Sequence, residues 1–279
     1  MTMRATQAEK AKTFQALHAR AGAFVIPNPW DAGTARILTR FGFEALTTTS
    51  AGLAFVLGRR DGDGSVTRDD ALANAKAIVD ATDLPVAADL ENGYGDAPEA
   101  AAETIRMAAS VGLVGASIED ASGDPHDPIY DLARAVERVT AAAEAAHALP
   151  FPFMFVARAE NFLHGKPNLD DTIRRLQAFE AAGADVLYAP GLTKAEHIRA
   201  VCASVKKPVN VIMGLKGANF SVSDLAALGV KRISVGSALS RAALGSFVRA
   251  AKEIQEHGTF TFADRALPFA DANDLVSER

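Results

Sequence analysis

Hydrophobic residues recur along the chain as eight short runs, and segments with helical periodicity separate each run from the next. The runs cover residues 24–28, 45–50, 85–90, 115–120, 153–159, 186–190, 208–213 and 232–236. They are largely apolar rather than alternating, which is typical of strands that are covered on both faces. The pattern therefore predicts eight parallel strands that alternate with helices.

Capping patterns mark the predicted helix boundaries. Capping-box spacing predicts helix starts at Thr67 and at Thr193. Asp127, which is followed by a proline, predicts a third start. Four helices are expected to end in a left-handed glycine just ahead of a strand, and these glycines are Gly42, Gly112, Gly183 and Gly229.

Eight such units allow the sheet to close, so we predict an α/β fold with one (β/α)8-barrel domain over residues 1–279. An extra helix is expected over about residues 1–22, and a C-terminal helical extension over about 257–279 packs on the barrel or on another subunit. An open doubly wound sheet is the main alternative. The segment after the first strand, PNPWDAG, lacks the glycine-rich turn that dinucleotide-binding sheets carry.

Composition narrows the classes of function. The net charge is -5 and basic residues are not clustered, which argues against nucleic-acid or anionic-membrane partners. Cys202 is the only cysteine, so a reducing, cytoplasmic location is expected. The sequence has neither a signal-peptide core nor an apolar stretch long enough to span a bilayer.

Acidic side chains collect where predicted strands end, which is where barrel enzymes carry their chemistry. Asp89 and Glu91 lie at the end of the third strand, Glu119 ends the fourth, and Asp61 lies in the loop after the second. Crowded carboxylates repel each other, and a hard divalent cation relieves that repulsion. Oxygen donors without cysteine favour Mg²⁺, with Mn²⁺ as the alternative, over zinc.

The same acids have a structural interpretation, as helix caps or solvated loop charges. We prefer that interpretation for Asp96 and Asp120, and it stays open for Asp61. It is less favoured for Asp89, Glu91 and Glu119, because charged residues in strands are rarely buried without partners.

Arg158 lies near the end of the fifth apolar run. Its guanidinium is suited to bind a substrate carboxylate or phosphate in bidentate fashion. The alternative is an internal ion pair with Glu160 or Glu119, and the residues alone do not choose between the two.

Two further places are candidates for substrate binding. The second strand ends in TTTS, so the hydroxyl of Thr49 and the backbone amides of Ser50 and Ala51 are available for an oxyanion. Asn210 interrupts an apolar strand, and a buried amide must be hydrogen-bonded. It is therefore either substrate-facing or a satisfied core group.

Other nucleophiles and bases give weaker signals. No predicted strand contains a lysine in its interior, which argues against Schiff-base chemistry. Cys202 falls in a predicted helix and is interpreted as a small buried apolar residue. His126 and His164 lie in strand-end loops, where ordinary loop histidines are commoner than acids or bases.

These motifs resemble the isocitrate lyase and phosphoenolpyruvate mutase superfamily over most of the chain, from the first strand to the eighth. The most specific segment is DLENGYGD at 89–96, which is similar to that family's D-x-D-x-G-Y-G motif. LGRRD, GASIED and ARAENF follow the family's order and spacing. The resemblance implies a magnesium-dependent barrel enzyme for 2-oxo or 2-hydroxy carboxylic acids, assembled as a homotetramer or dimer through exchanged C-terminal helices.

The resemblance also assigns roles by motif. It implies a direct metal ligand at Asp89, and ligands that bind directly or through water at Glu91, Glu119 and Asp61. Arg158 would hold the substrate, and the amides of Ser50 and Ala51 would bind its oxyanionic end. We take the catalytic candidates to be Asp61, Glu119 and Arg158.

Three departures from the family pattern limit what carries over. The loop after the fourth strand reads DASGDPHDPIYD, so it lacks the Lys-(Lys/Arg)-Cys-Gly-His motif of isocitrate and methylisocitrate lyases. It also lacks the asparagine that attends the phosphoryl group in phosphonate mutases. Glu91 replaces the motif's second aspartate.

Three functions are therefore weighed. The first is a metal-dependent lyase that cleaves or decarboxylates a small 2-oxo or 2-hydroxy di- or tricarboxylic acid, as methylisocitrate lyases or oxaloacetate decarboxylases do. The second is a phosphonomutase or phosphonopyruvate hydrolase acting on a P–C bond. The third is a non-catalytic barrel that binds a 2-oxo acid.

Overall fold

Eight parallel strands form the centre of the molecule, and the computed structural model describes residues 4–277. The strands are β1 (Phe24–Ile26), β2 (Leu46–Thr47), β3 (Val86–Asp89), β4 (Gly115–Glu119), β5 (Met154–Arg158), β6 (Val186–Tyr188), β7 (Val209–Ile212) and β8 (Arg232–Ser234). Their hydrogen-bonded order is β1-β8-β7-β6-β5-β4-β3-β2, which confirms the eight predicted runs.

The first and last strands of that order approach each other closely. The Thr47 amide donates to the carbonyl oxygen of Pro27 at 3.1 Å. The Asn28 side-chain amide donates to the carbonyl oxygen of Thr48 at 2.8 Å. These two bonds make the sheet a nearly closed barrel, and the predicted (β/α)8 class is confirmed.

Helices surround the strands and extend beyond them at both ends. They are α1 (Gln7–Ala19), α2 (Ala32–Arg40), α3 (Ser50–Val56), α4 (Arg68–Ala81), α5 (Pro98–Ser110), α6 (Leu132–His147), α7 (Leu169–Ala181), α8 (Ala195–Ser204), α9 (Val222–Ala227), α10 (Ala238–His257) and α11 (Phe269–Val276). A 3₁₀ helix, Thr261–Arg265, connects α10 to α11. The expected helices before β1 and after β8 are therefore present.

Several predicted helix boundaries are confirmed. Thr67 caps α4 and accepts a hydrogen bond from the Asp70 amide, while the Asp70 side chain accepts from Thr67 in return. The four predicted glycines all adopt positive φ angles, of 80°, 97°, 105° and 96° along the chain. A left-handed residue ends the helix and turns the chain into the next strand.

Two predicted helix starts are wrong. Helix α8 has Lys194 as its N-cap and no side-chain cap, so Thr193 does not cap it. Helix α6 is capped by Asp131, not by Asp127. The segment after β4 instead folds back on itself, with the Tyr130 amide donating to the carbonyl oxygen of Asp120 at 2.9 Å. This antiparallel bridge uses backbone groups that a helix would have needed.

Apolar side chains form two layers because successive strand residues point to opposite faces. Those that face outward pack against the helices and include Ile118, Phe155 and Leu187. Those that face inward fill the barrel and include Ile26 and Val156.

Helix α1 closes one end of the barrel. Its Phe14 is fully buried with the inward-facing strand residues. A Cβ on Gly115, the first residue of β4, would lie 2.9 Å from the Phe14 ring. Phe14 therefore packs at the amino ends of the strands, and the opposite end of the barrel is left for the βα loops.

A candidate active site at the carboxyl ends of the strands

Three neighbouring strands end in charged residues. Asp89 is the last residue of β3, Glu119 of β4 and Arg158 of β5. Glu119 pairs in register with Arg158. Because these strands are parallel, their last side chains meet at one end of the barrel, as the sequence predicted for these three positions.

Arg158 is enclosed by carboxylates. Its Nη1 lies 2.8 Å from Asp89 Oδ1, its Nη2 lies 3.0 Å from Glu119 Oε2, and its Nε lies 2.9 Å from Glu160 Oε1. The guanidinium also lies 5.1 Å from the centre of the Tyr188 ring. Of the two interpretations left open for Arg158, the structure shows the internal ion pair, and it involves three acids rather than one.

The cluster has more negative than positive charge. Glu160 is only 2% exposed, and burial raises its pKa although Arg158 opposes the shift. Burial likewise raises the pKa of Glu119 well above its ordinary value. One guanidinium cannot neutralise three carboxylates in a buried site, so the free protein either holds protons there or takes up another cation.

Glu91 and Asp61 extend this acidic region. Burial and the charges of Asp89 and Asp61 raise the pKa of Glu91 to about 7. The Glu91 backbone has a φ of 47°, in the left-handed region that non-glycine residues seldom adopt. Asp61 lies in an exposed loop at the place where that loop lines the cavity. Desolvation raises its pKa, and the negative charge of Asp89 raises it further.

Asp89 is positioned by the end of the second strand. Its Oδ2 accepts a hydrogen bond of 3.0 Å from the Ser50 hydroxyl, and its backbone amide donates to the Thr48 hydroxyl oxygen at 3.0 Å. Ser50 begins α3 and Ala51 follows it. Thr49 caps that helix by accepting from the Gly52 amide at 3.3 Å, so its hydroxyl already has a structural partner.

A cavity of about 1140 Å³ opens over this cluster. Among the predicted site residues, its walls include Ser50, Asp61, Glu91, Glu119 and Arg158. Its other polar lining residues include Arg60, Arg68, Tyr94, Ser122, Glu160 and His164. The acidic cluster therefore forms the floor of a space large enough for a small organic acid.

Asn210 lies apart from that lining. It is 1% exposed on β7, and its Nδ2 donates to Ser234 Oγ at 3.1 Å. Its Oδ1 has no hydrogen-bond partner among the described residues. One half of the amide is thus a satisfied core group, and its predicted contact with a substrate stays a prediction.

Asp120 differs from its expected role as a cap or solvated charge. It is 3% exposed and accepts hydrogen bonds from the Glu160 amide and from Arg175 Nη1, each at 2.8 Å. A buried carboxylate needs such partners. Asp120 thereby fixes the chain immediately after Arg158, whereas Asp96 lies in an exposed turn.

The acidic donors fit a hard divalent cation. No hydrogen bond to the carboxylates of Glu91 or Asp61 comes from the part of the chain that the structure describes. Within residues 4–277 no three Asp, Glu, His or Cys side chains are already arranged to hold a metal ion. Arg158 links Asp89 to Glu119 instead, so binding would require these groups to reorient. Closely spaced carboxylate oxygens that repel one another suit Mg²⁺ or Mn²⁺.

Some lining residues were not singled out from the sequence. Arg60 and Arg68 were missed, although RRD in the loop between α3 and α4 and TRDD at the start of α4 carry the signal of clustered charge. His164 lines the cavity and His126 does not. Neither histidine could have been chosen from sequence, because both occur in loops that follow strands.

The sequence profile of the phosphoenolpyruvate phosphomutase family matches residues 14–255. The chain belongs to this family. The superfamily resemblance found from the motifs is thus confirmed.

Individual relatives cover most of the chain. A Burkholderia cenocepacia J2315 structure, described broadly as a lyase/mutase, is 58% identical with a TM-score of 0.94, covering 98% of this chain and 97% of that one. The 2-methylisocitrate lyase of Escherichia coli K12 is 28% identical, covering 83% of this chain and 81% of the enzyme. The oxaloacetate decarboxylase of Bradyrhizobium sp. BTAi1 is 30% identical, covering 74% and 70%.

The chain thus belongs to a superfamily whose members include lyases acting on C–C bonds. Within residues 4–277, no helix is long and apolar enough to cross a membrane.

Proposed function

We propose that the protein is a Mg²⁺-dependent carbon–carbon lyase acting on a small 2-oxo or 2-hydroxy di- or tricarboxylic acid. The observation that carries this proposal is the excess of carboxylates over cations at the floor of the cavity. A bound divalent cation and an anionic substrate would complete that charge balance together. The relatives named above include a 2-methylisocitrate lyase and an oxaloacetate decarboxylase, and both names describe C–C bond cleavage.

Asp89, Glu91, Glu119 and Asp61 would hold the cation. When bound, the cation supplies a Lewis acid for the carboxylate and 2-oxygen of the substrate. The amides of Ser50 and Ala51 at the start of α3 would donate hydrogen bonds to the developing negative charge. Arg158 would orient the substrate carboxylate once Asp89 and Glu119 have turned from it toward the cation.

The proton balance differs between the two reactions. Cleavage of a 2-hydroxy acid transfers the hydroxyl proton to a base, breaks the bond beyond C2, and leaves the electron pair on the departing fragment, which takes up a proton. Decarboxylation of a 2-oxo acid that carries a carboxylate on C3, as oxaloacetate does, breaks the bond between C3 and that carboxylate, releases CO₂ and leaves an enolate that is protonated on C3. Asp61 and Glu119 are the candidate proton carriers, because both carboxyl groups line the cavity in which the substrate would bind.

The test is a substrate panel containing oxaloacetate, 2-methylisocitrate and alkylmalates, assayed with Mg²⁺ and with EDTA. We expect turnover that EDTA abolishes and Mg²⁺ restores, and that Glu119→Gln eliminates. Metal-independent turnover would contradict the proposal. Tight binding of 2-oxo acids without any product would support the non-catalytic alternative instead.

A P–C bond enzyme is the second candidate, because the matching family profile is named for phosphoenolpyruvate phosphomutase. The β4–α6 loop, with no asparagine between Ala121 and Asp131, counts against it. Phosphorus NMR with phosphonopyruvate distinguishes the two functions, since only the second candidate changes the phosphonate signal.

We also propose that the protein is a homo-oligomer assembled through α10. Only Ser240 is buried among the twenty residues of this helix. Its exposed apolar side chains include Leu239, Leu244, Phe247, Val248 and Ile254. Light scattering after chromatography should give a dimer or tetramer that Phe247→Asp weakens, and a wild-type monomer would contradict this assembly.

A further inference from the structure

We propose that Arg68, assisted by Arg60, forms a second anion-binding subsite that recognises a distal carboxylate of the substrate. This inference rests on the proposed function and narrows its substrate class. The ligand would be an acid whose second carboxylate lies several bonds beyond the 2-oxygen, rather than a monocarboxylic 2-oxo acid.

The floor of the cavity offers little to a distal carboxylate. Arg158 is the cation there, and it already pairs with Asp89, Glu119 and Glu160. Any further anion at that point would meet a surplus of negative charge. A substrate with two acidic ends therefore needs a separate cation on the cavity wall.

Arg68 lines that wall without an acidic partner. Its Nη1 donates to the Thr104 hydroxyl oxygen at 3.5 Å, a long hydrogen bond, and its Nε is buried with no acceptor among residues 4–277. Neighbouring Arg59 is different, because it pairs closely with Asp70 and also donates to the Ser65 carbonyl oxygen. The Arg68 guanidinium thus makes no ion pair within residues 4–277, and a ligand carboxylate that enters the cavity would supply one.

The position of Arg68 is set by the loop that carries Glu91. Thr104 is fully buried and donates to the carbonyl oxygen of Gly93 at 2.8 Å. Gly93 lies two residues beyond Glu91 in the DLENGYGD segment. Arg68 thus contacts a residue that supports the segment carrying Glu91, and no ion pair within the described residues joins it to the acidic floor.

Arg60 adds a second positive charge to the same cavity. It is exposed and makes no hydrogen bond or close ion pair within the described range, although it lies near Asp63, which lines the same cavity. The cavity, at about 1140 Å³, is larger than a two- or three-carbon acid requires. The geometry therefore suits a longer dicarboxylic or tricarboxylic acid with its distal end toward Arg68 and Arg60.

A matched pair of ligands tests the subsite without any turnover. 2-Oxoglutarate and 2-oxopentanoate share the 2-oxo acid head and chain length, but only the first has a distal carboxylate. Titration calorimetry with Mg²⁺ should show that the wild-type protein binds 2-oxoglutarate at least about tenfold more tightly, the gain of one charge-assisted contact. Arg68→Met should remove this preference, and Arg68→Lys should restore part of it.

Oxalate serves as the probe of the floor alone, because it has no distal end. The affinity for oxalate should change by less than about twofold in Arg68→Met, because this variant loses no contact with oxalate. Arg106→Gln is the control, since Arg106 is an exposed α5 residue paired with Glu103. It should leave both affinities unchanged.

Each other outcome has a definite meaning. An Arg68→Met protein that keeps the 2-oxoglutarate preference, or loses oxalate and 2-oxoglutarate binding in equal measure, overturns the subsite and leaves the proposed lyase intact. A wild-type protein without any preference does the same. A wild-type protein that binds no oxalate with Mg²⁺ contradicts the proposed function, and the subsite falls with it.

Discussion

The two ends of the barrel are built from the same eight strands and hold opposite charges. At the carboxyl end, Asp89, Glu119 and Glu160 surround Arg158 beneath an open cavity. At the amino end, α1 covers the barrel and buries two basic groups, Arg232 and His18. One end thus has surplus negative charge open to solvent, and the other has basic groups sealed among apolar side chains.

No acid within residues 4–277 forms an ion pair with the basic groups buried at the amino end. Arg232 is 4% exposed, has unpartnered Nε and Nη1 atoms within the described residues, and lies 5.9 Å from the centre of the Phe14 ring. Burial lowers its pKa to about 10. His18 remains neutral, because burial and then the charge of Arg232 lower its pKa to about 3.

The comparison teaches that burial serves different purposes at the two ends. At the closed end, packing around Phe14 and α1 outweighs the cost of the buried polar atoms. At the open end, the carboxylates of the cluster repel one another at the place where ligands enter. This repulsion lowers stability, as is expected when a site is selected for function. Substitutions at the open end should therefore change activity more than the free energy of unfolding. Substitutions at the closed end should change the free energy of unfolding more than activity.

The largest expected effect is the loss of activity on Asp89→Asn. Removing one acid of the cluster should lower kcat/KM with Mg²⁺ by about a thousandfold, roughly 4 kcal/mol of transition-state stabilisation. The melting temperature should change little, because repulsion is also relieved. Asp96→Asn, an exposed change in the same motif, is the control. Activity within tenfold of wild type would break the comparison.

The next effect belongs to the closed end. Phe14→Ala should reduce the free energy of unfolding in urea by about 3–5 kcal/mol, because it leaves a cavity beneath the strands. The folded fraction should keep its Mg²⁺-dependent activity. Phe41→Ala, at a residue that is 68% exposed, should cost no more than about 0.5 kcal/mol. Equal losses in the two variants would show that α1 does not seal the core.

A third effect concerns the cation itself. Mg²⁺ at a hundred times its dissociation constant should stabilise the folded protein by about 2.7 kcal/mol, because it binds only the folded state. Phe14→Ala should keep this increment, whereas Asp89→Asn should lose most of it. Differential scanning fluorimetry with and without EDTA measures both. An increment that survives Asp89→Asn would place the cation elsewhere.

A smaller effect is expected on the pH dependence of stability, which should differ between the two ends of the barrel. The folded-state pKa of His18 is lowered to about 3, so the unfolded state binds its proton first as pH falls below 6.5. Stability should fall by about 2 kcal/mol between pH 6.5 and 5 on account of this group. His18→Leu should abolish that component in urea titrations. An unchanged pH dependence would mean that His18 is not sealed.

Glu91 should respond with the opposite sign in the metal-free protein. The pKa of Glu91 in the folded state is raised to about 7. The contribution of Glu91 to stability is therefore complete below pH 4.5 and is lost as the pH rises through 7. Glu91→Gln should flatten this loss. Saturating Mg²⁺ should cancel it as well, since a bound cation holds the carboxylate ionised at every pH in that window.

Local patterns determined the fold because each reports a local physical requirement. Apolar runs identify strands that are covered on both faces, and Gly42, Gly112, Gly183 and Gly229 mark the turns into four of them. These patterns can be recognised without knowing which distant residues each segment contacts. The acids at the ends of β3 and β4 could be placed for the same reason, since parallel strands bring their carboxyl ends together.

Only the tertiary structure decided which charged groups became partners. The sequence could not show that Asp120 is buried against Arg175, that Arg158 pairs with three acids, or that Arg68 lines the cavity without one. Such pairings depend on side chains brought together from segments tens of residues apart. The free energies of these ion pairs depend on how deeply the charged groups are buried. Burial is set by the whole fold and not by any one segment.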